Sequence, residues 1–288
     1  MTATFNQARR ARRPLLSSAI KHILLLMGAV AMLYPLLWML SSSFKPENVI
    51  FQDLGLIPRP FTLQNYVAGW TALNVPFSLF YVNSFIISGL SVVGTVLSCA
   101  LAAYAFARLD FRLKRLWFAL MLGTIMLPYH VTLIPRYIMF FQLGWVNTIL
   151  PLTIPHFFAV NSFFVFLIVQ FIRGLPRDLD DAAAIDGASE WQIFWRIIVP
   201  LAAPALVTTA IFTFIWTWDD FFSQLLYLSR ITSYTVSLAL RAFVDSQDRS
   251  SLGSLFAMSV ISLIPAFVIF VAAQQQLVEG VSKTGLKG

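Results

Sequence analysis

The sequence predicts an all-α polytopic membrane protein with six membrane-crossing helices, on three observations. Of its 288 residues, 58% are hydrophobic and only 11% charged, with a mean hydropathy of +0.77. Soluble domains carry roughly 25% charged residues. Six apolar runs divide the chain, each close to the ~20 residues that cross a bilayer core. Between the runs, Lys and Arg fall unevenly on alternate connections, the signature of a fixed orientation in the membrane. The net charge of +7 therefore marks membrane flanks and not a nucleic-acid partner. The single cysteine, Cys99, lies inside an apolar run and has no possible intrachain partner.

The chain opens with Arg9, Arg10, Arg12, Arg13 and Lys21, a basic segment over 1–22. A secretory signal peptide also starts basic, but no small-residue cleavage site follows Ile23–Leu40. That uncharged run reads as an uncleaved first span, and 23–288 as one six-helix domain. A polar loop, Ser41–Tyr81, follows with Pro46, Pro58, Pro60 and Pro76. The second span is about Val82–Ala107, where Ser91, Thr95 and Cys99 recur at every fourth residue. Such a small face lets another helix approach closely. A basic turn, Arg108–Arg115, leads to a third span of about Leu116–Pro135 that Pro128 breaks. After 136–147, the fourth span is about Thr148–Ile172, with Pro151 and Pro155 near its start. The fifth runs about Leu201–Leu228 and the sixth about Leu252–Leu277, separated by the polar stretch Ser229–Ser251.

Residues 173–199 differ from every other connection. Leu175–Pro200 alone holds five of the 13 acidic residues, Asp178, Asp180, Asp181, Asp186 and Glu190. Pro176 suits a first helical turn, and the early aspartates complement the positive end of a helix. Leu179, Ala182, Ala183 and Ile185 form a small apolar stripe at helical spacing. Gly187 gives the backbone freedom to turn, and Ser189 with Gln192 matches a capping box opening a second helix, Glu190–Val199. The pattern fits a short docking helix for a partner's groove; it equally fits an amphipathic connector between two spans.

The connections on the side of the N-terminus hold 14 of the 20 Lys and Arg residues. The opposite loops hold six, Lys45, Arg59, Arg136, Arg230, Arg241 and Arg249. The positive-inside rule places both termini and the 173–199 loop in the cytoplasm.

No G-x-x-x-x-G-K-[ST] loop occurs, so nucleotide chemistry is not expected on this chain. His22, His130 and His156 lack metal-ligand spacing, and no cofactor is expected here. No nucleophile–base grouping suggests covalent catalysis. The one anomaly inside a span is Trp216-Thr217-Trp218-Asp219-Asp220-Phe221. Carboxylates at membrane depth are costly and call for a reason. Asp219 lies roughly 22 Å along a helix begun near Pro204, the outer third of a ~30 Å core. There it either snorkels to water or helps line a polar cavity. On a continuous helix Trp216, Asp220 and Gln224 share one face, an indole, a carboxylate and an amide suited to a hydroxylated solute. Asn83 and Asn161 are further polar groups at membrane depth, read as interhelical hydrogen-bonding residues or as pathway candidates.

Asp181-Ala182-Ala183 followed by Asp186-Gly187-Ala188, with Phe194 and Pro200, resembles the EAA motif of ATP-binding-cassette importer permeases. Asp181 stands where that family usually has Glu. YPLLWMLSSSFKP at 34–46 and the QQQLVEGVSKTGLKG tail are similar to the maltose-type carbohydrate permeases. Trp216–Phe221 resembles their W-N-[DE]-F stretch, with Asp219 at the usual Asn. The resemblance implies a cytoplasmic coupling helix seated in an ATPase subunit, with ATP and magnesium on that partner. It implies a second homologous permease subunit, two ATPase subunits, an extracytoplasmic solute-binding protein and a carbohydrate substrate, in a prokaryotic inner membrane. An ion-coupled secondary transporter using Asp219 and Asp220 as a relay, and an importer of a non-sugar solute, are the alternatives.

Overall fold

The computed structural model describes residues 4–245 and 252–285. Residues 246–251 of the 229–251 loop, with Arg249, and 286–288 of the tail lie outside the described residues. Among the described residues the chain is all-α, without a strand. The helices are α1 (Thr4–Ser42), α2 (Gln64–Thr71), α3 (Phe77–Ala107), α4 (Lys114–Thr124), α5 (Tyr129–Gln142), α6 (Leu150–Thr153), α7 (Ser162–Arg173), α8 (Asp178–Ile185), α9 (Glu190–Ile193), α10 (Val199–Leu201), α11 (Ala203–Asp219), α12 (Phe222–Tyr227), α13 (Val236–Asp245) and α14 (Leu252–Gly285).

Four stretches are long and apolar enough to cross a membrane, 18–42 of α1, all of α3, 150–173, and 252–274 of α14. Two bent pairs complete the set. Helix α4 meets α5 at 98°, and 190–201 meets α11 at 74°. Counting each pair as one crossing gives six, in the order the sequence predicts. The 98° bend falls where Pro128, with extended backbone, precedes the first turn of α5. The fourth crossing is also irregular. A 3₁₀ turn over Ile154–Phe158 and Ala159 at φ 51° separate α6 from α7.

The described residues form two compact units. The described part of the first comprises 4–72 and 252–261. Its polar loop is knotted around Lys45, whose buried ammonium donates to the carbonyls of Asp53 and Gly55, both at 2.6 Å. Asn65 donates to the carbonyls of Ser43 (2.9 Å) and Lys45 (2.8 Å). Gly253 tolerates no Cβ, which would fall 2.5 Å from Asn65 Oδ1. The Glu47 carboxylate accepts from the backbone N–H groups of Leu252 (3.1 Å) and Gly253 (2.7 Å), filling donors left over at the start of α14.

The second unit, 73–245 and 262–285 among the described residues, is organised on α3. The small face read at Ser91, Thr95 and Cys99 is buried. Ser91 Oγ donates to the Leu152 carbonyl at 3.3 Å, and Thr95 hydrogen-bonds His156 Nδ1 at 2.9 Å. Close approach is real here, since a Cβ on Gly94 would lie 2.7 Å from Phe157. Further along α3, Cys99, Ala100, Ala103, Tyr104 and Ala107 join Phe164, Ile168 and Ile172 of α7 and Ile193, Phe194 and Ile198 in one apolar core. Small residues on α3 meeting large ones opposite give the close packing that holds helices together in lipid.

Candidate functional site: a docking loop and a broken fifth helix

The 173–199 loop folds as two short helices around a glycine turn. Asp178, Asp180 and Asp181 occupy the first turn of α8, where their charge meets the helix's positive end. Pro176 sits just ahead of the cap residue Arg177 and not within the turn itself. Gly187 adopts φ +82°, the left-handed region that favours glycine, and allows the chain to double back. The capping box at the start of α9 is formed: Gln192 N–H donates to Ser189 Oγ (3.4 Å), and Ser189 N–H to Gln192 Oε1 (2.8 Å). The second helix is not regular to Val199, however. Phe194–Ile198 is π-helical, with Val199 N–H bonded to the Phe194 carbonyl. Pro200 explains it, because it offers no N–H to the Arg196 carbonyl and its ring would strike that carbonyl.

One face of α8 is fastened and the other is open. Asp181, Ala182, Asp186 and Gly187 are exposed, Ala183 and Ala188 half-buried against the core, and Ile185 is 86% exposed. The fastening rests on residues that sequence reasoning did not single out. Arg108 Nε lies 2.6 Å from Asp180 Oδ2, and its Nη2 donates to the Leu175 carbonyl at 3.1 Å. Tyr104 O–H donates to Glu190 Oε2 at 2.5 Å, and its ring packs on Phe194 at 5.2 Å between centroids. Burial pushes the Asp180 carboxyl above its ordinary range; Arg108 pulls it down, while Asp181 and Glu190 add to the rise. The available signal was the i, i+4 spacing of Tyr104 and Arg108 at the end of a span.

The fifth crossing departs from its expected course. Helix α11 stops at Asp219, and Asp220 takes an extended ψ of 98°. The cause lies in side chains that take the last carbonyls of the helix. Gln224 Nε2 donates to the Thr217 carbonyl (3.0 Å) and Ser237 Oγ to that of Trp218 (2.9 Å). Asp220 Oδ1 then accepts from Ser223 N–H (3.0 Å) and opens α12. Trp216, Asp220 and Gln224 therefore do not share a continuous helical face. Gln224 is 1% exposed, and its carbonyl accepts from the Thr235 hydroxyl. Its amide is spent inside the protein, which corrects the expectation that it faces a solute.

Trp216 and Asp219 remain open. The indole is 49% exposed and stacked on Phe164, with centroids 5.2 Å apart. Asp219 is exposed at the end of α11. The two asparagines have structural partners. Asn83 donates to the carbonyls of Thr232 (3.0 Å) and Tyr234 (2.9 Å), and Asn161 Oδ1 caps α7 through Phe164 N–H (3.4 Å). Asn83 thus ties α3 to the 231–234 turn, and Asn161 caps its own helix; neither bond joins two crossing helices. Among the described residues no group of three His, Cys, Asp or Glu could hold a metal.

These features, bent apolar spans around a charged, glycine-hinged loop, are those of a polytopic membrane protein. The family described as "Binding-protein-dependent transport system inner membrane component" matches residues 94–283. The chain belongs to this family and is a multi-pass inner-membrane protein. It is 35% identical over 274 residues to the trehalose/maltose transport system permease protein MalG of Thermococcus litoralis, covering 93% of this chain and 98% of the relative. It is 32% identical to the probable ABC transporter permease protein YurM of Bacillus subtilis (92% and 87% covered). The diacetylchitobiose uptake system permease protein NgcG of Streptomyces coelicolor is 29% identical (92% and 88%). Among solved structures, a bacterial ABC transporter that imports the acidic polysaccharide alginate superposes with a TM-score of 0.83, at 22% identity and covering 92% and 97%. The last likeness concerns the fold.

Proposed function

We propose that this chain is a permease subunit of an ATP-driven importer that carries a carbohydrate into the cytoplasm. The observation that carries the reading is the docking loop: α8 is held to the membrane core on one face and offers Ile185 ringed by Asp181 and Asp186 on the other. An apolar side chain amid charges is how a helix docks in a groove on another protein. The occupant of this face is an ATPase subunit, with Asp181, Ala182, Ala183, Asp186, Gly187 and Ala188 at the contact. ATP and magnesium belong to that subunit. Two ATPase subunits, a second homologous permease and an extracytoplasmic solute-binding protein complete the assembly. The distribution of 14 of 20 basic residues supports cytoplasmic termini and a cytoplasmic docking loop.

The carbohydrate is supported by the relatives, whose names specify trehalose, maltose and diacetylchitobiose. On this chain its path is bordered by Trp216, Asp219 and Asp220, an aromatic face for C–H groups beside acceptors for hydroxyls. ATP-driven closure of the ATPase pair displaces α8, and the bundles tilt between inward-open and outward-open states. The test is uptake into proteoliposomes holding the complex, offered trehalose, maltose and chitobiose through its binding protein. ATP-dependent uptake that survives a protonophore is expected. Uptake that persists without ATP and collapses with the ion gradient would overturn the reading in favour of a secondary transporter.

A further inference from the structure

The inner attachment of the 173–199 loop is as specific as its outer face. One turn of α3, Tyr104 to Arg108, grips the loop at three separated points. Arg108 holds the entry at the Leu175 carbonyl and α8 at Asp180. Tyr104 holds α9 at Glu190. A fourth bond returns from the loop, since Arg173 Nη2 donates to the Phe106 carbonyl at 3.4 Å and its guanidinium lies 5.1 Å from the Phe118 ring. The same helix, α3, carries the buried surface on which α7 and the start of α11 pack. We propose that Tyr104 and Arg108 are the positioning residues that pass displacement of the docking loop to α3, and through it to the crossing helices.

Two features separate this arrangement from a passive staple. The central pair is desolvated, with Arg108 and Asp180 side chains 6% and 17% exposed. A buried pair resists separation because a lone buried charge is costly. The pairing is also incomplete: Arg108 Nε lies 2.6 Å from Asp180 Oδ2, yet Nε and Asp180 Oδ1 are both buried without a hydrogen-bond partner. An ion pair with unused hydrogen-bonding capacity links the loop to α3 and leaves room for a second arrangement, as a transmitting element requires.

The inference rests on the importer reading, and the two fail differently. The experiment uses the purified complex with Phe212→Cys on α11 as reporter, Cys99 being fully buried and silent. The rate of maleimide labelling is measured in the absence of nucleotide and with ATP and vanadate. Tyr104→Phe removes only the hydroxyl, and Arg108→Gln only the charge and fork. Both are expected to retain the ATPase subunits and their hydrolysis, while the nucleotide-dependent change in labelling falls about fivefold or more, as loss of a charge-assisted bond implies. The reversed pair Arg108→Asp with Asp180→Arg is expected to regain much of the response. A full response in Tyr104→Phe and Arg108→Gln would overturn the proposal. So would hydrolysis and response falling in equal proportion in Tyr104→Phe, which marks general destabilisation. No ATPase in the purified parent, and no response to nucleotide, would instead reject the importer reading.

Discussion

Gln224 shows how a residue's surroundings overrule its spacing. Four residues beyond Asp220 and eight beyond Trp216, it belongs to their face on any unbroken helix. No glycine or proline in Trp216–Gln224 warns of a break. The break is written in side chains distant in sequence, Thr235 and Ser237, which reach Gln224 and the Trp218 carbonyl. Gln224→Leu should accordingly act on folding. It strands the Thr217 carbonyl and the Thr235 hydroxyl, at a cost of about 1–3 kcal/mol for each buried group left unpaired. Protein in the membrane should fall, while the solute concentration for half-maximal uptake of what remains stays put; a shifted half-maximum with normal protein would return Gln224 to the pathway. Asp220→Asn is the contrasting case. Oδ1 is kept as the acceptor for Ser223 N–H, so α12 should form and protein level hold. If the carboxylate meets sugar hydroxyls, apparent affinity drops several-fold, about 1 kcal/mol. Unchanged uptake curves would leave Asp220 with its capping role alone.

Among the elements, the docking loop was the most legible and the crossing helices less so. Its devices are local: acidic residues in a first turn, a glycine at a left-handed turn, a capping box from Ser189 to Gln192. All appear where the sequence puts them. Boundaries that depend on tertiary partners did not. Helix α3 starts at Phe77, five residues before the expected span, and α11 ends nine residues early. The π-helix at 194–198 was in principle readable from Pro200, since a proline must disturb the ladder four residues behind it. Tyr104 and Arg108 were hidden for another reason: a basic residue at a span's end already has an explanation in membrane orientation. Gly187→Pro is the sharpest test at this scale. Proline's φ near −65° is incompatible with the +82° held there, so the turn between α8 and α9 must re-form elsewhere. The spans themselves are untouched, and membrane insertion should persist. Co-purification of the ATPase, or uptake per ATP hydrolysed, should fall at least tenfold, about 1.4 kcal/mol of lost docking. Normal values of both would mean that the exposed face of α8 is not the contact.

At the scale of the whole molecule the argument is about sides. With each bent pair counted as one crossing, the order of spans predicts the 108–115 turn and the 173–199 loop on the side of the N-terminus, and 41–76 and 229–235 on the other. The charge pattern predicts that the basic side faces the cytoplasm. Lys45, one of the six basic residues against that assignment, is the exception that fits. Its ammonium is buried among carbonyls of its own loop and presents no free charge to the surface. Orientation is measured by placing one cysteine on each side, at Arg112 and at Gln52, both exposed. Background labelling is low because Cys99 is buried in the α3 core. With a membrane-impermeant maleimide on cells whose outer envelope is permeable, Gln52→Cys should label and Arg112→Cys should label only after lysis. The opposite pattern would invert the molecule. It would also carry α8 to the face where no ATP is found, so the ATPase partner and the orientation stand or fall on the same pair of labels.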